Sequence, residues 1–285
     1  MYEYQPFIQF NNGYFLKYAL CVSGIPPHTE AQREALKNKS CYSNGSMSEN
    51  TRKQIKSKLG CYFDAIASLN PMTRKKLNIL NNIITLTLPA KQMHDDNTIK
   101  RECLTRFIER MVSNFDVRFY YWVAEKQQND NIHFHLLIDR FIDWRWVRDT
   151  WNNRLNKLGY IDAFEFHHMH RDPNSTDIEV IRNLKKTSDY VSKYTTKIDQ
   201  QGKIQGRLHG ECDKLNKLKK FTFEYDSEFL MALNYGLDNN VIEYKALEHC
   251  EIYKCNTEQM LKHWQPKIYN QLKEHRKNII EQFYS

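Results

Sequence analysis

The stretch Ile132-His133-Phe134-His135-Leu136-Leu137-Ile138 places two imidazoles two residues apart in an apolar, strand-like run. Side chains of a strand alternate faces, so His133 and His135 share a face, ~7 Å apart along the backbone, and can converge on one metal ion. Glu125 stands eight residues before His133. A turn within KQQND, residues 126–130, would fold a hairpin that returns Glu125 beside His133. Two imidazoles and one carboxylate with open positions can hold a divalent cation that polarises a phosphoryl oxygen.

A second stretch, YVSKYTTK at 190–197, writes Tyr-x-x-Lys twice. Four-residue spacing puts Tyr190 and Tyr194 on one helix face beside Lys193 and Lys197. A free phenol has a pKa of ~10 and needs activation to act as a nucleophile. Neighbouring ammonium groups lower that value, and a metal-bound phosphate is an electrophile able to receive the attack. Together the two stretches suit attack on a phosphodiester with formation of a phosphotyrosine bond. Each has a plainer reading when taken alone: a His-x-His pair packed in a sheet, and a helix face that packs its rings and solvates its lysines. His168-Met169-His170 repeats the spacing but lacks both the apolar run after it and a partner glutamate. With His167 it would instead meet phosphate or DNA backbone.

The net charge of +8 is concentrated. Residues 181–220 hold eleven Lys or Arg against four Asp or Glu, the electrostatic footprint of a surface that binds polyphosphate, with a solvated lysine-rich face as the alternative. Arg182, Lys185, Lys186, Lys203 and Arg207 are the candidate phosphate contacts. The seven cysteines form no CxxC pair, so neither a disulfide framework nor a zinc ribbon is indicated; Cys250 and Cys255 after His249 are the nearest approach to a zinc signal. No apolar run reaches the ~18 residues of a membrane span, and no signal peptide is evident. A soluble, cytoplasmic protein is expected.

The elements that must position these groups follow from pattern. IITLTLP at 83–89, VRFYYWVAE at 117–125 and NIHFHLLID at 131–139 read as strands, the last two as a hairpin. Residues 160–170, YIDAFEFHHMH, also read as a strand. Helical spacing predicts helices over about 52–68, capped by Ser48 or Asn50, and over 97–114, 143–158 and 175–197. The sequence after about 222 reads as mostly helical. The aromatic run Phe119, Tyr120, Tyr121 and Trp122 has the spacing of core, with stacking on unpaired bases as the alternative. The order predicts an α+β fold, an antiparallel sheet of about five strands with flanking helices. The expected division is a partly helical N-terminal extension or binding arm over 1–75, a catalytic domain over 76–222 and a helical C-terminal extension over 223–285.

Taken in order, three of these stretches resemble the motifs of the HUH endonucleases, specifically the two-tyrosine rolling-circle initiators of microvirus-type single-stranded DNA phages and related plasmid or prophage elements. IITLTLP resembles the first motif, EKQQNDNIHFHLLID (125–139) the second and YVSKYTTK the third. The glycine usual before the first histidine is replaced in NDNIH, and GRLHGECDKL (206–215) is similar to a segment that often follows, with His209 where an aromatic is usual. The resemblance implies an HUH-type nuclease fold, Mg2+ or Mn2+ on His133, His135 and Glu125, alternating nucleophiles Tyr190 and Tyr194, and assistance from Lys193 and Lys197. It implies single-stranded or origin DNA as substrate, with a 5'-phosphotyrosine link and later rejoining of ends. Host polymerase would extend the 3'-OH. No G-x-x-x-x-G-K-[ST] occurs, so unwinding would fall to a host helicase. Two other readings stay open: a cupin-type His-x-His oxygenase with Asp139 as third ligand, and a DNA-binding regulator with an inactive site.

Overall fold

The computed structural model describes residues 3–11, 13–23, 30, 33, 47–181, 203–247 and 250–285. The chain opens with an antiparallel hairpin, β1 (Glu3–Asn11) and β2 (Tyr14–Ser23), whose register pairs Phe10 with Phe15 around Gly13 at φ +94. Helix α1 (Glu49–Ser68) follows, its first turn capped by the Ser48 hydroxyl accepting from the Thr51 N–H. A short helix, α2 (Pro71–Lys76), leads into β3 (Asn82–Leu86).

Between β3 and β4 (Tyr120–Lys126) runs a helix in three parts: α3 (Asp96–Ile99), a π-helical stretch (Lys100–Thr105) and α4 (Arg106–Phe115). Strand β5 (Ile132–Ile138) is followed by α5 (Trp144–Asn156), capped by Asp143, and α6 (Tyr160–His168). Strands β6 (Thr176–Val180) and β7 (His209–Glu211) complete a five-stranded sheet of order β6-β3-β5-β4-β7 in which every neighbour is antiparallel.

Alternation decides which side chains face which layer. Phe134, Leu136 and Ile138 of β5 join Ile84, Leu86 and Ala124 against Phe107, Met111, Val147 and Trp151 of α4 and α5. The opposite face carries Ile83, Tyr121, Val123 and Leu137, covered by Leu59, Tyr62 and Ile66 of α1. Burying such a side chain contributes about 1.5–3 kcal/mol. A one-residue slip of β5 would expose Phe134 and Leu136 to the wrong layer and bury His135 among the helices, so the register is strongly specified.

The α+β class and the five-stranded antiparallel sheet with flanking helices are present, but the extensions are not simply helical. A second five-stranded sheet, β8-β1-β2-β10-β9, joins the N-terminal hairpin to β8 (Thr222–Glu224), β9 (Glu243–Ala246) and β10 (Glu251–Lys254). Between and after them come α7 (Asp213–Asn216), α8 (Ser227–Asp238), α9 (Thr257–Trp264) and α10 (Pro266–Tyr284). Helix α10 reaches the first sheet, placing Ile279 and Phe283 against Phe119, which stacks on Tyr62 at 3.7 Å.

Two further expectations are corrected. YIDAFEFHHMH is helix α6, not a strand: Gly159 at φ +77 turns the chain into it, and the Tyr160 hydroxyl accepts from the Met93 and His94 N–H groups. Residues 176–180 are a strand, not the start of a helix, because Thr176–Val180 pairs along β3. The remainder of that expected helix lies outside the described residues.

Gly60 sits in the interior of α1, where glycine is about 0.5–1 kcal/mol less favourable than alanine. A Cβ there would meet nothing within 4 Å, so no close approach requires the glycine.

Candidate metal centre

The hairpin β4–β5 pairs Glu125 directly with His133 and Val123 with His135. Its turn is closed by Asp130 at φ +64 and by Gln127 N–H donating to the Asn131 carbonyl at 2.8 Å, so the absence of a glycine in NDNIH does not displace Glu125. Antiparallel pairing puts the three candidate side chains on one face of adjacent strands.

They converge on one point. His133 Nε2 lies 2.5 Å from Glu125 Oε1, and His135 Nε2 lies 3.1 Å from both that oxygen and His133 Nε2. One potential ligand atom from each residue lies within 4.8 Å of the others, and this is the metal-competent cluster found among the described residues. Glu125 and His135 are buried, and His133 nearly so.

The polar accounting fits a cation. Thr85 of β3 is paired with His135, and its Oγ1 lies 3.1 Å from His135 Nδ1. With Nδ1–H donating to that hydroxyl, His135 Nε2 is left as a lone pair aimed at His133 Nε2 and a carboxylate oxygen. Acceptors crowded at 3 Å repel unless a proton or a cation lies among them. Glu125 Oε2 is buried without a hydrogen-bond partner, as is His133 Nδ1, among the described residues. Burial alone would raise the Glu125 carboxyl, but without a cation, protonated imidazoles at His133 and His135 outweigh it through hydrogen bonding and charge and hold the group at about 2; a bound cation would take the place of those protons and meet the Nε2 lone pairs. The carboxylate is therefore charged at neutral pH, and an N,N,O donor set of this kind suits a divalent metal.

A buried ionic network braces the same end of the sheet. Lys126, on the opposite face of β4 from Glu125, donates to Asp96 at 3.0 Å. Asp96 also accepts from the Gln205 N–H at 2.9 Å, and the Lys100 ammonium, in the π-helical stretch, donates to the Gln205 carbonyl. The chain described up to Ile181, whose N–H bonds Asn81 at the far end of the sheet, thus resumes at Lys203 beside the cluster end. Ala124 N–H donates to the Leu208 carbonyl at 2.8 Å, and Arg207, next to Leu208 in the chain, is exposed. Lys203 is exposed as well.

Residues 81–199 match the model of the family described as replication-associated protein ORF2/gene 2 protein. The match contains IITLTLP, the whole Glu125–His133–His135 hairpin and YVSKYTTK, and it spans less than half of the chain. It supports a rolling-circle replication initiator family. No curated protein and no solved structure matches the chain.

The other expected residues fall as follows. Tyr190, Tyr194, Lys193, Lys197, Arg182, Lys185 and Lys186 lie outside the described residues. Asp139 is not a ligand of the cluster: it is fully buried at the other end of β5, where its carboxylate accepts from Arg140 at 3.1 Å and from the Arg118 N–H. His168 and His170 pack on Phe164, with ring centroids at 4.2 and 5.1 Å, because Met169 at φ +60 ends α6 between them. Phe119 and Tyr121 are core, and Tyr120 and Trp122 pack partly buried against it. Cys250 and Cys255 are free thiols, and burial pushes Cys255 up to about 11. Among the described residues no helix is long and apolar enough to cross a membrane. Thr85 was legible only as a strand residue, and its contact with His135 follows from the β3–β5 register alone.

Proposed function

We propose that the protein is a replication initiator that nicks single-stranded or origin DNA by tyrosine transesterification. The observation that carries this is the convergence of Glu125, His133 and His135 inside the segment that matches the replication-associated family. Glu125, His133 and His135 would hold Mg2+ or Mn2+, and the bound ion would neutralise charge on a non-bridging phosphate oxygen. Thr85 Oγ1 orients the His135 ring and can accept from Nδ1–H, the tautomer that leaves the Nε2 lone pair available.

The phenol of Tyr190 or Tyr194 gives up its proton to water, its oxygen attacks phosphorus in line, the P–O3' bond breaks, and the 3'-oxygen takes a proton from water and leaves as a hydroxyl. The 5'-phosphate stays on the tyrosine. Lys193 and Lys197 lower the phenol pKa and offer charge at the scissile phosphate. A second phenol allows the enzyme, while still holding one end, to cut again after a full circle and join the ends. Arg182, Lys185, Lys186, Lys203 and Arg207 would track phosphates, so binding weakens steeply with salt. Host helicase and polymerase act around it in the cytoplasm of a bacterial cell.

Incubation with an origin-derived single strand and Mn2+ tests the proposal. The expected result is a covalent protein–DNA adduct that is lost in Tyr190→Phe/Tyr194→Phe and in His133→Ala. An adduct formed normally by His133→Ala, or none with any origin-derived strand, would sink it; the second outcome with DNA binding retained favours the inactive regulator.

A further inference from the structure

The Glu125–His133–His135 cluster straddles the boundary of the supported part of its sheet. Strand β5 pairs with β3 from Ile138 to Phe134, and β4 pairs with β7 from Tyr121 to Val123. The pairs Glu125–His133 and Lys126–Ile132 lie beyond both registers, so among the described residues they form a two-stranded ribbon. Such ribbons twist more strongly than wider sheets and are marginally stable alone. His135 stands on the wider part, paired with both Val123 and Thr85, whereas Glu125 and His133 stand on the ribbon. Extra twist there would turn two of the three donors away from the third.

One side chain from the loop after β3 bonds both strands of the ribbon. Gln92 Oε1 accepts from the Ile132 N–H at 2.8 Å and from the Lys126 ammonium at 3.3 Å. It therefore holds the residue before His133 and the residue after Glu125 with one atom. Gln92 Nε2 donates to Asp96 at 2.7 Å and to the His94 carbonyl at 2.9 Å, and Asp96 takes the Lys126 ammonium as well, at 3.0 Å. The backbone of this loop is held in return: the Gln92 N–H donates to Asn131 Oδ1, and Asn131 Nδ2 donates to the Ala90 carbonyl, each at 2.8 Å. Asp96, Lys126 and Asn131 are buried, where hydrogen bonds are exchanged with little competition from water. None of these bonds touches a donor atom of the cluster. The chemistry of the position needs an acceptor towards Ile132 and a donor towards Asp96, which a side-chain amide combines.

We propose that Gln92 is a positioning residue that holds Glu125 against His133 by fixing the twist of the ribbon that carries them. The inference rests on the reading of Glu125, His133 and His135 as metal ligands and adds a residue outside the ligand set that sets their spacing.

Calorimetric Mn2+ titration and amide hydrogen exchange, both on the full chain, test this. Gln92→Leu keeps much of the bulk but removes every bond of the side chain. It is expected to weaken Mn2+ binding about tenfold, as loss of a partner that orients ligands does. Exchange at the Glu125 and His133 amides should quicken more than at Ile84 and Leu136 in the middle of the sheet. A role in overall stability alone would quicken all four and leave the Mn2+ affinity of the folded chain as it was. Asn131→Ala, which removes the two reciprocal bonds, should act in the same direction, and the double variant should lose less than the two single losses combined. A folded Gln92→Leu that binds Mn2+ within about twofold of wild type overturns the proposal. Should that variant not fold, the same result in Asn131→Ala overturns it equally. If the wild type itself binds no Mn2+, the metal reading fails alone, and unchanged exchange at Glu125 and His133 in Gln92→Leu then decides against the positioning role.

Discussion

Glu125 and His133 are direct partners across the β4–β5 hairpin, eight positions apart in the chain and 2.5 Å apart at Oε1 and Nε2. The pairing makes the cluster a property of strand register. Glu125→Gln keeps the shape but removes the charge held at about 2 by its two histidines. Mn2+ affinity, followed by calorimetry, is expected to fall by more than the about 10–100-fold typical of losing an outer contact. Unchanged affinity would mean that the carboxylate is not a ligand.

Thr85→Val separates orientation from ligation. Valine preserves the β-branched shape of β3 but gives His135 Nδ1 no oxygen. Metal affinity should drop about tenfold with thermal stability nearly unchanged. A large loss of stability with normal metal binding would assign Thr85 to packing instead.

Lys100 offers a pH signature that does not involve the candidate ligands. Burial first, with a like charge from Lys126 adding to it, pulls its ammonium down to about 8 against the ordinary 10.5. Between those values the unfolded chain binds the proton more tightly than the folded one. Stability therefore rises with pH across that window. Urea midpoints measured from pH 8 to 10 should increase in the wild type and increase less in Lys100→Met; parallel curves would refute the assignment.

Arg276 ties three helices together, bonding Asp64 of α1 and Glu258 of α9 from its place on α10. Removing it strands a largely buried carboxylate. Arg276→Ala is expected to cost about 3 kcal/mol in urea denaturation. A loss below about 0.5 kcal/mol would place the pair with ordinary surface ion pairs.

The cluster was legible because two periods coincide: alternation puts His133 and His135 on one face, and a short polar turn returns Glu125 to them. Helix α5 was legible from Asp143 at its start and Gly159 beyond its end. Helix α6 was not, since Phe164 and Phe166 alternate with polar residues as in a strand; its start depends on a left-handed glycine and its anchoring on the Tyr160 hydroxyl. The N-terminal hairpin left one signal, Asn12-Gly13 between apolar runs, of the kind that marks tight turns. Strands β8, β9 and β10 are three or four residues long and exist through pairing with partners remote in sequence, which no local pattern reveals.

The second sheet also joins strands made early in synthesis to strands made late. Its central strands, β1 and β2, leave the ribosome first, while their outer neighbours β8 and β10 come more than 200 residues later. Until then the hairpin has two open edges, and long-range pairing of this kind is slow and exposed to aggregation. A nascent chain interrupted after β7 would carry the complete Glu125–His133–His135 hairpin but lack α10 and three strands of the second sheet. Chains interrupted after β7 are therefore expected to precipitate or be degraded, even though they hold the Glu125–His133–His135 hairpin intact.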